Sequence, residues 1–180
     1  MLKSEEGWIF HNHAFYLLHE IINKMYDVTF LETMLDVGAG PGIASAIIKI
    51  MFPHINQTLL EVDKKNLSKW KMRNLRGQIY NGKNIPFEKE SFDIVLCSHV
   101  LEHVKKPEKF IKELWRVTKN RLIIAVPDGD YNIKEHRFIF NRSNFIDMIS
   151  NSIGYKNNIK KVYPVYHSHI NNLMAVIDRT

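Results

Sequence analysis

An apolar run, Thr33–Val37, ends in the stretch "GAGPG", with glycines at 38, 40 and 42, and a helical apolar pattern, Ile43–Met51, starts directly behind it. Strand, bare turn and helix in immediate succession open a βα unit, and glycine at such a turn lets a ligand reach the main chain. The rest of the chain repeats the alternation. Thr58–Val62, Gln78–Tyr80, Phe92–Cys97 and Arg121–Pro127 read as strands; Asn66–Arg76, Pro107–Thr118 and a segment through Ile153 read as helices. Phe110, Ile111, Leu114, Trp115 and Val117 share one helical face, and Pro107 suits a first turn. Arg121–Pro127 is a continuous apolar run, as in a strand covered on both faces. Asn141 can cap the last helix and Gly154 can end it in a left-handed turn. The tail reads as two strands about a polar turn, an antiparallel hairpin. The pattern predicts an α/β fold: a doubly wound, seven-stranded, mostly parallel sheet with a C-terminal antiparallel hairpin. Its ligand crevice falls at the carboxyl ends of the strands, around the first one.

Ahead of this core, residues 8–26 carry Phe15, Leu18, Ile22 and Met25 at helical spacing. Residues 1–32 are therefore expected to form a helical lid, with 33–180 as the main domain. At 180 residues and 45% hydrophobic content, one core is what the chain can build. A single cysteine, Cys97, rules out an intramolecular disulfide and fits a reducing compartment. The charged start does not suit a signal peptide, and no apolar run nears the roughly 20 residues of a membrane span. A cytoplasmic protein without a membrane partner is expected. The net charge is +6, but the lysines come in scattered pairs, which favours a solvated basic surface over a nucleic-acid track. The edge hairpin is a natural dimer surface, so monomer and homodimer both stay open.

Three ligands compete for the glycine loop. A triphosphate cradle needs Gly-Lys-Ser/Thr, whereas this loop ends Pro41-Gly42-Ile43-Ala44. A dinucleotide fingerprint needs a small residue where Ile43 stands, and Pro41 removes a donor where a pyrophosphate would sit. The third ligand is S-adenosylmethionine, an adenosine with a charged amino-acid tail and no phosphate. Asp36 offers its positive charges a carboxylate. The ribose needs another acid at the end of the second strand. Asp63 lies 23 residues beyond Gly40, near the roughly 20 that ribose-binding folds use, with Glu61 as its rival.

These segments together resemble the class I S-adenosylmethionine-dependent methyltransferases. "MLDVGAGPG" is similar to the family's first motif and "LLEVDKK" to its second. "NGKNIPFEKESFDIVLCSHVLEHVKKPEKFIKELWRVTKN" is similar to its long central signature, and "HRFIFNRSNFIDMISNSIGY" to a later helix. The resemblance covers residues 33–178 and implies a Rossmann-like fold, methyl transfer and S-adenosylmethionine as cofactor. It places Asp36, Gly38, Ala39 and Gly40 on the methionine end, Asp63 on the ribose and Lys64 beside the adenine edge. Asn81 stands where relatives carry an adenine-binding Asp, and its amide oxygen can still accept. Cys97 and Ser98 would border the methyl group, and "KNR" replaces the usual "KPGG" turn.

Methyl transfer needs alignment above all, and an oxygen acceptor gains from a base. "SHVLEHV" and "KEHRF" supply His99, Glu102, His103 and His136 as catalytic candidates, without assigning them a metal. The favoured expectation is O-methylation of a small molecule. One alternative follows the small-RNA 3′-end 2′-O-methyltransferases, whose Glu-x-x-Glu-His segment and later His hold a metal. His99 replaces the first of those ligands here. Another is a cofactor-binding partner protein without catalysis. His11, His13, His19, His167 and His169 read as partly or wholly exposed, with Trp8, His13 and Tyr16 able to line a lid pocket. Cys97 reads as a small buried side chain.

Overall fold

Strands β3, β2, β1, β4 and β5 lie side by side in that order and run parallel; β7 pairs antiparallel with β5 and carries β6 on its outer edge. The computed structural model describes residues 5–26, 28, 31–129, 133–154, 159–167 and 170–179, and the side chains of 5–15, 159–161, 166, 167 and 170 are outside that description. The expectations for Trp8, His11, His13, His167 and His169 therefore lie outside the described residues. In chain order the elements are α1 (Glu5–Tyr26), β1 (Thr33–Val37), α2 (Ile43–Met51), β2 (Asn56–Glu61), α3 (Asn66–Met72), β3 (Gly77–Ile79) and β4 (Phe92–Ser98). A 3-10 turn at Leu101–His103 follows, then α4 (Pro107–Val117), β5 (Thr118–Pro127), α5 (Arg142–Ile153), β6 (Ile159–His167) and β7 (Ile170–Asp178). The expected seven-stranded, doubly wound sheet with its terminal hairpin is present.

Strand alternation builds two cores. Leu35, Val37, Val95, Cys97, Leu122 and Ile124 face α4 and α5, while Met34, Ile94, Leu96 and Ile123 face α1 and α2. A third cluster, Leu59, Trp70 and Leu75, seats α3. β1 and β4 are neighbours, so the crossovers leave it in opposite directions and open a crevice above their carboxyl ends. At the opposite end Asp93 ties the sheet together: it accepts from Glu32 N–H, Thr33 N–H and the Thr33 hydroxyl.

Several boundaries shift from the sequence reading. β2 starts at Asn56 and ends at Glu61 rather than Val62. α3 stops at Met72 because the chain turns through Asn74, at φ 53°, to reach Gly77. A side chain at Gly77 would strike the Leu59 carbonyl and the Trp70 ring, so β3 packs here without one. β5 begins at Thr118, three residues early, because Asp93 satisfies its polar start: Lys119 pairs with it at 3.1 Å and Asn120 donates to it at 3.2 Å. α5 keeps both expected ends, with Asn141 and Asn144 capping each other and Gly154 at φ 76°. No described helix is long and apolar enough to cross a membrane.

Candidate functional site

The bare turn after β1 has Gly38 at φ 76° and Gly40 at φ 51°, a region that costs any side chain with a Cβ. A Cβ on Gly38 would run into Val100, so glycine lets the turn after β4 close over the loop. A Cβ on Gly40 would meet nothing within 4 Å; that side of the loop is open space. Asp36, the last residue but one of β1, is buried and faces the crevice. Burial pushes its carboxyl up to about 6; the Ser45 hydroxyl, donating at 2.5 Å, holds it down, and nearby Glu61 raises it further.

The tip of β2 separates the two ribose candidates. Glu61 is the last strand residue, half-buried, and its carboxylate accepts from Gly40 N–H at 2.8 Å and Val62 N–H at 2.6 Å. Asp63 is exposed and accepts from Lys65 N–H at 3.0 Å, an Asx turn that starts α3. Trp70 fixes the loop from behind, its indole N–H donating to the Gly40 carbonyl at 2.8 Å. Lys64 is exposed beside this tip. Asn81 is exposed past β3, where its side-chain oxygen accepts from Lys83 N–H at 2.9 Å and Asn84 N–H at 3.3 Å. Arg116 holds the following segment, donating to the Ile85 and Phe87 carbonyls.

At the end of β4 alternation parts Cys97 from Ser98. Cys97 is buried in the α4–α5 core, where burial above all pushes its thiol well above its ordinary range, with Glu102 and Asp36 adding to the rise. Ser98 lines the crevice.

Beyond Ser98 the chain gathers its histidines. His99 takes φ 55°, uncommon for a residue with a Cβ, and the 3-10 turn then buries Glu102 to 1% exposure. Neither Glu102 side-chain oxygen accepts a hydrogen bond; His99 Nδ1 lies 3.4 Å and His103 Nε2 3.9 Å from Oε1. The Glu102 carbonyl accepts from Arg137 N–H at 2.7 Å, which brings His136 alongside, its ring 5.0 Å from that of His103. Ligand atoms of Glu102, His103 and His136 lie within 4.8 Å of one another. His103 Nδ1 is 3.1 Å from the Glu135 carbonyl, which can only accept, so Nδ1 carries a proton and Nε2 is the basic nitrogen of the neutral ring.

A cavity of about 720 Å³ joins these parts. Asp36, Gly38 and Ala39 form one end, His99, Glu102, His103 and His136 another, and Leu17, Leu18 and Ile21 of α1 close it from above. All four catalytic candidates from the sequence therefore line one space. The sequence reading missed Asn172, buried on β7, whose Oδ1 has no partner and which also lines the cavity. Its only signal is a polar residue inside an otherwise apolar strand, "NNLMAVI".

An uncharacterised protein of Methanocaldococcus jannaschii is 35% identical over 107 residues, 58% of this chain and 45% of that one. A ribosomal RNA small subunit methyltransferase G of Exiguobacterium sibiricum is 38% identical over 86 residues, 42% of this chain and 36% of that one. The chain thus spans about half, or less, of the curated relatives it matches. Magnesium protoporphyrin IX methyltransferase of Synechocystis, solved with bound S-adenosylmethionine, superposes with TM-score 0.78 at 11% identity, over all of this chain and 86% of that one. That likeness gives the fold, the Rossmann-like sheet of class I methyltransferases. A family model described as a methyltransferase domain matches residues 35–126, just over half the chain, and this protein belongs to that family.

Proposed function

We propose that this protein transfers the methyl group of S-adenosylmethionine to an oxygen of a small-molecule acceptor. The cofactor suits the residues present. Gly40 leaves open space where a side chain would stand, and buried Asp36 faces the cavity with a hydroxyl as its one hydrogen-bond partner. Gly38, Ala39, Gly40 and Asp36 would hold the methionine end. Glu61 would take the ribose, since its half-buried carboxylate ends β2 against Gly40 while that of Asp63 lies exposed at the turn into α3. Lys64 and Asn81 would flank the adenine, with Ser98 near the reacting end. When bound, the cofactor supplies an electrophilic methyl on a positively charged sulfur.

The observation that carries the oxygen reading is the Glu102–His103–His136 cluster at the far end of the same cavity. His103 Nε2 is free to take the acceptor's hydroxyl proton, and Glu102 is placed to stabilise the imidazolium that forms. His136 and His99 complete the wall. Leu17, Leu18 and Ile21 exclude water, which makes α1 the expected lid. Relatives with acceptors as unlike as ribosomal RNA and a porphyrin carry this fold, so the acceptor is argued from the cavity: it must fit beside the cofactor within about 720 Å³.

A second reading rests on the two partnerless oxygens of Glu102. A buried carboxylate without donors costs several kcal/mol unless a cation meets it. One carboxylate and two imidazoles suit a divalent first-row metal, which would bind the acceptor oxygen directly.

The test is S-adenosylhomocysteine release from a panel of phenols, catechols, hydroxy acids and nucleosides, with wild type, Glu102→Gln and His103→Ala. Turnover on hydroxyl acceptors is expected, with each substitution lowering it at least about tenfold while cofactor affinity stays within about threefold. Turnover confined to amines or thiols, or equal loss of binding and turnover, would overturn the oxygen reading. Loss of activity in a chelator and its return with Mn²⁺ would select the metal; insensitivity would select the base.

A further inference from the structure

Lys64, Lys65, Lys69, Lys71, Arg73 and Arg76 fall within 13 residues that contain no acid. Removing these six from the chain's 25 cations leaves 19 against 19 acids, so the whole net charge of +6 is concentrated here. The fold sets the stretch around α3, with Lys65 and Lys69 on one flank of the helix and Lys71 on the other. α3 buries Asn66 and Trp70 and leaves Lys65, Lys69 and Lys71 exposed, with Lys64 and Arg76 exposed at its ends and Arg73 half-buried. Among the described residues none of the six makes an ion pair. Lys69 meets only the Asn66 side-chain oxygen, and Arg73 only the Lys69 carbonyl. Cations elsewhere do find acids: Lys89 with Glu90, Arg116 with Glu113, Lys119 with Asp93 and Arg121 with Asp178. Six like charges in and around a helix of about 10 Å repel one another, and among the described residues no ion pair offsets this.

On the Lys71 flank lies a separate cleft of about 320 Å³ between α3 and β3. Leu67, Trp70 and Leu75 form its apolar floor; Lys71, Asn74 and Arg76 stand on its rim. A half-apolar slot edged by cations and an amide is chemistry that can take an unstacked base with its phosphates outside. A lipid surface fits less well. The exposed apolar side chains of α3 are Leu67, at 43%, and Met72, at 85%, five positions apart and not a continuous face.

We propose that the α3 face binds single-stranded nucleic acid. A base enters the cleft with its phosphates on Lys71 and Arg76, and the strand continues around α3 to pair further phosphates with Lys65 and Lys69. The proposal goes beyond the reading of the large cavity and does not depend on it.

The experiment is fluorescence anisotropy with a 5′-labelled 20-nucleotide unstructured RNA at 50 to 300 mM salt. Four phosphate contacts are expected to give a slope of about −3 in log affinity against log salt. Lys65→Glu/Lys69→Glu/Lys71→Glu is expected to weaken binding at least about tenfold and flatten that slope, and the three Gln replacements to weaken it less. Lys109→Glu/Lys112→Glu, on exposed positions of α4, serves as the control and is expected to change affinity under about threefold. S-adenosylhomocysteine binding by calorimetry reports on the other site: retained in the α3 variants, it shows them folded, and its failure in wild type would bear on the methyltransferase reading alone. No RNA binding at 50 mM salt, equal loss in the α4 control, or uptake by phosphatidylserine vesicles in place of RNA would each overturn the proposal.

Discussion

Asp36 shows how much one side chain's surroundings decide. Its carboxyl is pushed up to about 6 from 3.8, chiefly by burial, so the folded protein holds that proton more readily than the unfolded chain. Ionising it therefore costs nothing below pH 3.8, costs progressively more up to about 6, and carries its full penalty above. In the proposed complex the cofactor's ammonium would need the anion. Affinity for S-adenosylhomocysteine is thus expected to be flat above pH 7 and to fall about tenfold per unit below 6, while Asp36→Asn is weak and flat throughout. A flat wild-type titration from pH 5 to 8 would contradict this. Glu61 and Asp63 carry a different lesson. Both acids are visible in "LLEVDKK", but the strand ends one residue earlier than its apolar pattern suggests, which places Glu61 at the tip and Asp63 in the turn. The signal that separates them is the helix start after Asp63, since an Asp two residues before Lys65 N–H is a turn former.

Between elements, the glycine loop is only as well placed as the helix behind it. Trp70 is buried against Leu59 and Leu75 and also holds the Gly40 carbonyl, so α3 positions the loop it never contacts from the cavity side. Trp70→Phe keeps most of the packing and deletes that hydrogen bond. It is expected to cost about 1–2 kcal/mol, lower Tm by about 2–8 °C and weaken cofactor binding about three- to tenfold. A lowered Tm with unchanged affinity would mean that Trp70 serves the core alone. The periodicity of α4 and the caps of α5 were legible because each is written in consecutive residues. The early start of β5 was not: Thr118, Lys119 and Asn120 are polar, and Lys119 and Asn120 are held at the sheet by Asp93, 27 positions before Asn120 in sequence.

Across the whole molecule, the doubly wound sheet and the place of its crevice followed from alternation alone, because each crossover is local and its hand is fixed. What joined the crevice into a site did not. Asn172 reaches the cavity through the β5–β7 pairing, and His136 through two hydrogen bonds to the Glu102 carbonyl; both are long-range contacts that no spacing records. The gathering of charge on α3 was likewise hidden while the lysines were read as pairs, since it emerges only when the acids are placed as well. All of the chemistry rests on an adenosyl ligand spanning the tips of β1 and β2. Calorimetric titration of S-adenosylhomocysteine into wild type, Glu61→Ala and Asp63→Ala tests it. Micromolar binding to wild type is expected, weakened at least about tenfold in Glu61→Ala, where charged hydrogen bonds are lost, and under about threefold in Asp63→Ala. Silence toward S-adenosylmethionine and S-adenosylhomocysteine at millimolar concentration, with uptake of a nicotinamide or flavin nucleotide instead, would contradict it.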